Sequence, residues 1–204
     1  SATTTKLSRE HTVDRPAPGF VSIAGGKYTT YRVMGKDAVD RAVIELRRIT
    51  QDSVTDKLPL VGADGYFALE QQKERISQES GLDIETVTHL LNRYGSLISE
   101  VLEIISEEPK LAKKLDADLP YIKAEIVYAA THEGARTVDD VISRRTRLAF
   151  EADGHGVHLA DEVGALIAPV LGWSAKQRKE SVAAYESLVD REIAALDELL
   201  EVNS

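Results

Sequence analysis

A short segment, residues 25–30, combines two glycines, a lysine and two threonines where a strand-like stretch gives way to a helix-like one. Because the glycines lack a Cβ atom, a ligand can approach the backbone closely and the chain can adopt positive φ. The three amides after Lys27 would be free at the start of a helix, at the positive end of its dipole. The spacing predicts a site for an anionic or partly anionic group. Its candidate residues are Gly25, Gly26, Lys27, Tyr28, Thr29 and Thr30.

An ordinary strand-to-helix turn with a solvated lysine has the same spacing, and the residues alone do not exclude it. The nearest match to the dinucleotide pattern G-x-G-x-x-G is GHGVHL at 154–159, which lacks the last glycine and follows no predicted strand. The GGKYTT run lacks the upstream glycine of a Walker loop. We therefore do not expect adenosine or pyrophosphate at this turn.

A predicted helix in the second half carries Glu125, Tyr128, His132 and Arg136 on one face, at spacings of three and four. Three more arginines follow closely, and they are Arg144, Arg145 and Arg147. These side chains could form a second anion site. They could equally form ion pairs and hydrogen bonds within the helical region or against another domain.

Two histidines, His155 and His158, lie near Asp153 and Asp161. Both residue types bind metals, but no third ligand has a diagnostic spacing. HEGAR at 132–136 lacks the second histidine of the zinc-protease motif. We predict a solvated loop here and no metal site.

Composition narrows the class of protein. The 204 residues are 43% hydrophobic and only 5% aromatic, which favours aliphatic helix packing. Cysteine is absent, which excludes disulfides and thiolate metal sites. The net charge is −9, although residues 1–50 carry nine basic and five acidic groups. An acidic body repels phosphate backbones, so nucleic-acid binding is not expected. The chain contains no run of 18 apolar residues, so no membrane-spanning helix is predicted. It begins with Ser1, and we expect it to be a piece of a longer protein.

The first quarter of the chain predicts a β-hairpin and a helix. Strands are expected at 7–13 and 19–25, with the turn formed by DRPAPG between them. A helical period then continues to about Thr50. The loop at 52–65 is rich in turn formers, and we place a domain boundary after Gln51, which gives domains 1–51 and 52–204.

The remainder predicts helices only. Capping residues set several limits: Gly81 and Gly172 as C-terminal caps, Asp83 as an N-cap, and Ser174 with Gln177 as a capping box. The fold class is mainly α, a bundle of seven or eight helices preceded by a short hairpin. The predicted helices cover residues 65–80, 83–93, 96–106, 120–134, 137–150, 159–171 and 174–200.

Two stretches carry a family resemblance. SREH followed by GFVSIAGGKYTTYRVMGKDAVD resembles the late catalytic-domain segment of the FAD-dependent glycerol-3-phosphate dehydrogenases. Downstream, YIKAEIVYAATHEGARTVDDVISRRTRLAFE and then LGW are similar to the helical C-terminal domain of the same family, in the same order. The resemblance implies that residues 1–51 are the remnant of an FAD and substrate domain, and that residues 52–204 form an all-α accessory domain.

The resemblance also implies roles for the turn. Gly25 to Thr30 would contact the pyrimidine side of the FAD ring, with Tyr28 in place of the leucine often found there. Arg9 would help to bind the substrate phosphate, and Lys27 would lie near the substrate end of the flavin. No catalytic residue is implied within this chain.

By resemblance, the parent enzyme oxidises sn-glycerol 3-phosphate to dihydroxyacetone phosphate and passes electrons through FAD to a membrane quinone. We expect it in the cytoplasm, at the inner face of the membrane, with a homo-oligomer as one option. The chain alone should be inactive and bind no FAD. Two alternatives remain open: a glycerol-3-phosphate oxidase that reduces oxygen, and a helical module for protein interaction or oligomerisation.

Overall fold

A computed structural model describes residues 10–47 and 49–202, without the side chains of residues 197 and 199–202. The chain divides into two compact units between Leu60 and Val61. We call the first the hairpin unit and the second the helical unit. The domain boundary that we predict after Gln51 differs from this division into compact units and stays a prediction.

The hairpin unit opens with β1 (His11–Ala17) and β2 (Phe20–Gly25), which pair antiparallel. The predicted hairpin is confirmed, but its turn is shorter than expected. Strand β1 continues through the DRPA residues, and only Pro18 and Gly19 form the connection. The ladder is irregular between Asp14 and Ala17. Pro16 is tolerated there because its missing N–H removes no hydrogen bond between the strands. Residues 7–9 of the predicted strand lie outside the described residues.

Helix α1 (Tyr31–Glu45) follows a 3₁₀ turn at Tyr28–Thr30. It ends five residues before the predicted limit at Thr50, because Arg47 has a φ of 51°, which a helix cannot accommodate. Ion pairs attach α1 to β1: His11 Nε2 lies 2.7 Å from Asp37 Oδ2, and a similar contact joins Arg15 to Glu45. No described side chain between residues 10 and 60 is buried, so this unit has no apolar core.

The helical unit confirms the predicted fold class, and nine α-helices occur among the described residues of the chain. A π-helical segment, Asp140–Arg145, precedes α7. Beyond α1 the helices are α2 (Tyr66–Glu70), α3 (Lys73–Ser80), α4 (Ile84–Tyr94), α5 (Ile98–Glu107), α6 (Lys123–Thr131), α7 (Leu148–Glu151), α8 (Ala160–Leu171) and α9 (Ala175–Val202).

The helix limits set by capping residues are confirmed. Asp83 Oδ1 accepts a hydrogen bond from the Thr86 amide at 2.7 Å at the start of α4. The amide of Ser174 donates to Gln177 Oε1 at 2.9 Å before α9. Gly81 and Gly172 end α3 and α8 in the left-handed conformation.

In the helical unit, three predicted helices were wrong in extent. Helix α6 begins at Lys123 rather than Pro120. The amide of Leu115 donates a hydrogen bond to Tyr121 O (2.9 Å), and this bond holds the residues just before Lys123 in an extended conformation. The segment predicted as one helix at 137–150 breaks at Thr146, whose backbone is extended. The helix predicted at 65–80 is interrupted between α2 and α3.

Helix α6 lies between two hydrophobic cores. Its residues Ala124 and Tyr128 belong to a core with α3, α4 and α5, whereas Ile126 and Ala129 belong to a core with the π-helical segment, α8 and α9. Six of its nine residues are buried. Because its buried residues contribute to both cores, α6 acts as the wall on which the two cores are built.

We predict that Gly95→Ala destabilises the helical unit by about 2–4 kcal/mol. Gly95 has a φ of 58°, and a Cβ atom there would lie 1.9 Å from Gly62 O, where the turn before α2 passes the end of α4. Gly81→Ala is the control, since it has a similar φ of 73° but open space around the new methyl group, and should cost about 1 kcal/mol. Equal losses in urea unfolding would contradict the prediction.

Candidate functional site

Both glycines of the turn are required by the fold of the hairpin unit. Gly25 and Gly26 have φ values of 83° and 82°. A Cβ atom on Gly25 would lie 2.9 Å from Glu10 O, and one on Gly26 would lie 2.6 Å from Met34 Sδ. The turn thus passes close to the start of the hairpin and to α1.

Lys27 and Thr30 close the turn by hydrogen bonds. Lys27 O accepts from the Thr30 amide (3.0 Å) and from the Thr30 hydroxyl (2.9 Å), while the Lys27 amide donates to Thr30 Oγ1 at 3.2 Å. The Thr30 amide was predicted to be free, and this was wrong, because the 3₁₀ turn uses it. The amides of Tyr28 and Thr29 have no acceptor among the described residues.

The outer edge of the turn is exposed and positive. Lys27, Tyr28 and Thr29 face solvent, and Tyr28 retains 92% of its accessible surface. The Lys27 ammonium has no carboxylate partner in the described part of the chain. Two unpaired amides and an ammonium suit the polar edge of a flavin ring, so the residues present fit FAD. Arg9 lies outside the described residues, and the roles of all these residues stay predictions.

The helix face predicted at Glu125, Tyr128, His132 and Arg136 is used within the unit. The Tyr128 hydroxyl donates to Glu100 Oε2 at 2.6 Å, and the His132 ring stacks on Tyr128 at a centroid distance of 4.5 Å. Arg136 contributes its backbone amide to Asp140 Oδ2. These contacts match the ion-pair and hydrogen-bond alternative.

The three arginines that follow also have partners. Arg144 Nη1 lies 3.3 Å from Asp140 Oδ1, and Arg145 Nε donates to the backbone oxygen of Glu133 at 2.8 Å. Arg147 Nε lies 3.3 Å from Glu151 Oε1, although 70% of its side chain stays exposed.

The predicted loop contains a 3₁₀ segment, Asp153–Leu159, and its two histidines contact different partners. His158 Nε2 lies 3.1 Å from Asp116 Oδ2, and His155 Nδ1 lies 3.1 Å from Ala149 O. Within the described ranges, no group of three or more metal-binding side chains is placed to hold an ion.

The burial of Glu125 was not predicted from the sequence. The side chain has no exposed surface, and its carboxylate accepts from the Ile122 amide (2.8 Å) and the Tyr94 hydroxyl (3.2 Å) and lies 2.9 Å from His89 Nε2. Burial raises the pKa of Tyr94, so that hydroxyl stays a donor. A glutamate at the third position of a helix was the available signal, because it often caps the backbone three residues earlier.

Glu133 is a second carboxylate that sequence reasoning missed. Its Oε2 atom is buried without a hydrogen-bond partner in the part of the chain that the structure describes. Burial raises the pKa of Glu133, and the nearby guanidinium groups of Arg93 and Arg145 oppose this effect.

Comparison with known proteins then identifies the family. A family model described as the C-terminal domain of alpha-glycerophosphate oxidase matches residues 53–178. The chain belongs to this family. The family assignment drawn from the two sequence stretches is thereby confirmed.

The relatives are longer proteins. Glycerol-3-phosphate dehydrogenase 2 of Mycobacterium bovis is 48% identical over 93% of this chain, which covers 32% of that protein. The mitochondrial glycerol-3-phosphate dehydrogenase of Mus musculus is 36% identical over 89% of the chain and 25% of its own length. The chain therefore spans about a third or less of these relatives.

A solved structure shares the fold. The glycerol-3-phosphate dehydrogenase from Bacillus halodurans, complexed with FAD, superposes with a TM-score of 0.68 and 24% identity, over 83% of this chain and 35% of that one. Among the described helices, none has the length and apolar character needed to cross a bilayer.

We predict that Glu133→Gln flattens the pH dependence of stability. Because the pKa of Glu133 is raised in the folded state, the folded chain keeps the Glu133 proton above about pH 4.5, where the unfolded chain loses it. The unfolding free energy of the unmodified chain should then fall as the pH rises from about 4.5 through the folded-state pKa of Glu133.

At pH 8, Glu133→Gln should raise the unfolding free energy above that of the unmodified chain, because the variant carries no charge at this partly buried position. Urea unfolding between pH 4.5 and 8 measures this effect. Glu103→Gln, which removes an exposed carboxylate on α5, serves as the control and should leave the slope unchanged. A Glu133→Gln variant with the same slope as the unmodified chain would contradict the prediction.

Proposed function

We propose that this chain is the C-terminal part of a flavoenzyme that oxidises sn-glycerol 3-phosphate to dihydroxyacetone phosphate with FAD. Support comes from the family match and from relatives that carry the name glycerol-3-phosphate dehydrogenase. The observation that carries the proposal is the exposed turn, where Lys27 and the amides of Tyr28 and Thr29 are unpaired among the described residues. Such a turn offers positive potential to a ligand without any rearrangement.

Bound FAD supplies a hydride acceptor for the carbon that carries the substrate's secondary hydroxyl. The turn's role is to bind and orient the polar edge of the ring and to favour negative charge there. Lys27 contributes a full charge, and the amides contribute dipoles fixed by the Thr30 hydrogen bonds. Arg9 is proposed to bind the substrate phosphate, a task that suits its planar fork.

The electron acceptor is proposed to be a membrane quinone, with the parent enzyme at the cytoplasmic face of the membrane. The family description names an oxidase while the relatives are named dehydrogenases, so oxygen is the alternative acceptor. Oxygen consumption and quinone-analogue reduction by the full-length enzyme, measured side by side with glycerol 3-phosphate, separate the two.

A second candidate role for the helical unit is self-association. Ile193 and Leu196 on α9 retain 42% and 56% exposure, which leaves an apolar stripe near the end of that helix. Sedimentation of the 204-residue chain at increasing concentration tests this role, and a monomer at all concentrations would exclude it.

The isolated chain is expected to purify without FAD and to show no turnover, because the turn is one side of a site and none of the described side chains of the hairpin unit is buried. Stoichiometric FAD and glycerol 3-phosphate oxidation by the 204-residue chain would overturn this expectation.

We predict that Lys27→Met in the full-length enzyme lowers glycerol 3-phosphate oxidation on the order of ten-fold and makes the bound flavin harder to reduce. Lys57→Met removes the same charge from an exposed position in the hairpin unit and should leave both quantities unchanged. Steady-state rates and the flavin midpoint potential provide the measurements. Equal effects of the two substitutions would contradict a role for the turn.

A further inference from the structure

An open pocket of about 430 Å³ is lined by residues of the helical unit. One wall is the solvent-facing side of α4, and the other is formed by the stretches that precede α6 and α7. Its polar lining residues are His89, Asn92, Arg93, Tyr121, Arg147 and Glu151.

Donors on the α4 wall lack acceptors. Arg93 uses only Nε, which donates to the Tyr94 hydroxyl at 3.3 Å, and its two Nη atoms have no acceptor among the described residues. Asn92 Oδ1 accepts from the Tyr66 hydroxyl at 2.9 Å, so the amide nitrogen of Asn92 is left to face the pocket or solvent. The unpaired donors of Arg93 and Asn92 are accessible to water. Among the described residues, the side-chain atom that is both buried and without a hydrogen-bond partner is Glu133 Oε2, and neither Arg93 nor Asn92 contributes such an atom.

The opposite wall adds a second guanidinium and one carboxylate. Arg147 keeps 70% of its side chain exposed while its Nε lies 3.3 Å from Glu151 Oε1. Glu151 Oε2 accepts from the Tyr121 hydroxyl at 3.0 Å. Burial raises the pKa of Tyr121 to about 12, so this hydroxyl keeps its proton. The carboxylate of Glu151 is therefore already bound on both oxygens.

The lining of the pocket carries two guanidinium groups and one carboxylate. The carboxylates of Glu125 and Glu133 also lie near Arg93. His89 is oriented by the buried carboxylate of Glu125, 2.9 Å from its Nε2. The Arg93 guanidinium lies 5.5 Å from the centroid of the Tyr94 ring, which holds the group in place before any ligand arrives.

We propose that this pocket binds the phosphate group of a small phosphate ester or inorganic phosphate. A tetrahedral group has enough oxygens to accept from Arg93 and Asn92 on one wall and from Arg147 on the other. A carboxylate has two coplanar oxygens and satisfies a single guanidinium fork. The proposal does not depend on the flavoenzyme function, because every residue that carries it lies in the helical unit.

The test is a titration of the ¹⁵N-labelled 204-residue chain with inorganic phosphate and, separately, with glycerol phosphate, at constant ionic strength. The Asn92 side-chain amide and the Arg147 Nε resonance should shift along one saturable curve. Tighter binding of glycerol phosphate identifies an ester as the ligand, and equal binding identifies the free ion. Both outcomes support the proposal.

Substitutions of two lining residues, Arg147 and Asn92, test whether binding occurs in this pocket. Arg147→Gln should weaken binding about ten-fold, because one charge-assisted pair is lost. Arg75→Gln is the matched control. Arg75 pairs with Glu79 at 3.4 Å across the same i to i+4 spacing and is similarly exposed, at 64%, but it does not line the pocket.

Asn92→Asp keeps the oxygen that accepts from Tyr66 but replaces the donor amide by an anion, and should abolish saturable binding. Circular dichroism confirms that each variant folds. Absence of saturation in the unmodified chain, equal effects of Arg147→Gln and Arg75→Gln, or acetate binding as tightly as phosphate would each overturn the proposal.

Discussion

Helix α6 can occupy the middle of the helical unit because the buried carboxyl group of Glu125 is fully hydrogen-bonded there. An isolated buried carboxylate costs several kcal/mol, but the Ile122 amide, the Tyr94 hydroxyl and His89 all contact this one. The first contact caps the first turn of α6, and the other two fix its position against α4. Both hydrophobic cores are then packed on the remaining faces of α6.

The hairpin unit depends on a different balance. Val39, Ile44 and Leu46 retain 61%, 65% and 68% exposure, although burying such side chains is worth about 1.5–3 kcal/mol each. The ion pairs between β1 and α1 are partly exposed and contribute little by comparison. We propose that these apolar faces are covered in the longer protein, in agreement with a chain that spans about a third of its relatives.

The sequence predicted most of the fold because local signals decide it. Asp83, Gly81 and Ser174 set helix limits through hydrogen bonds to residues nearby in the chain, and those limits were confirmed. The start of α6 depends instead on the backbone hydrogen bond between Leu115 and Tyr121. The break at Thr146 follows the π-helical segment, where the Thr146 amide and hydroxyl both donate to Val141 O. The turn at 25–30 was recognised as a site candidate from its residue types, but the use of the Thr30 amide was visible only in three dimensions.

Native-state hydrogen exchange of the 204-residue chain tests most directly the claim that α6 anchors a stable helical unit while the hairpin unit has little stability of its own. Amides of α4, α6 and α8 should exchange only through global unfolding. Those of β1, β2 and α1 should open with free energies of about 0–2 kcal/mol. Protection of the hairpin-unit amides equal to that of α6 would contradict the account.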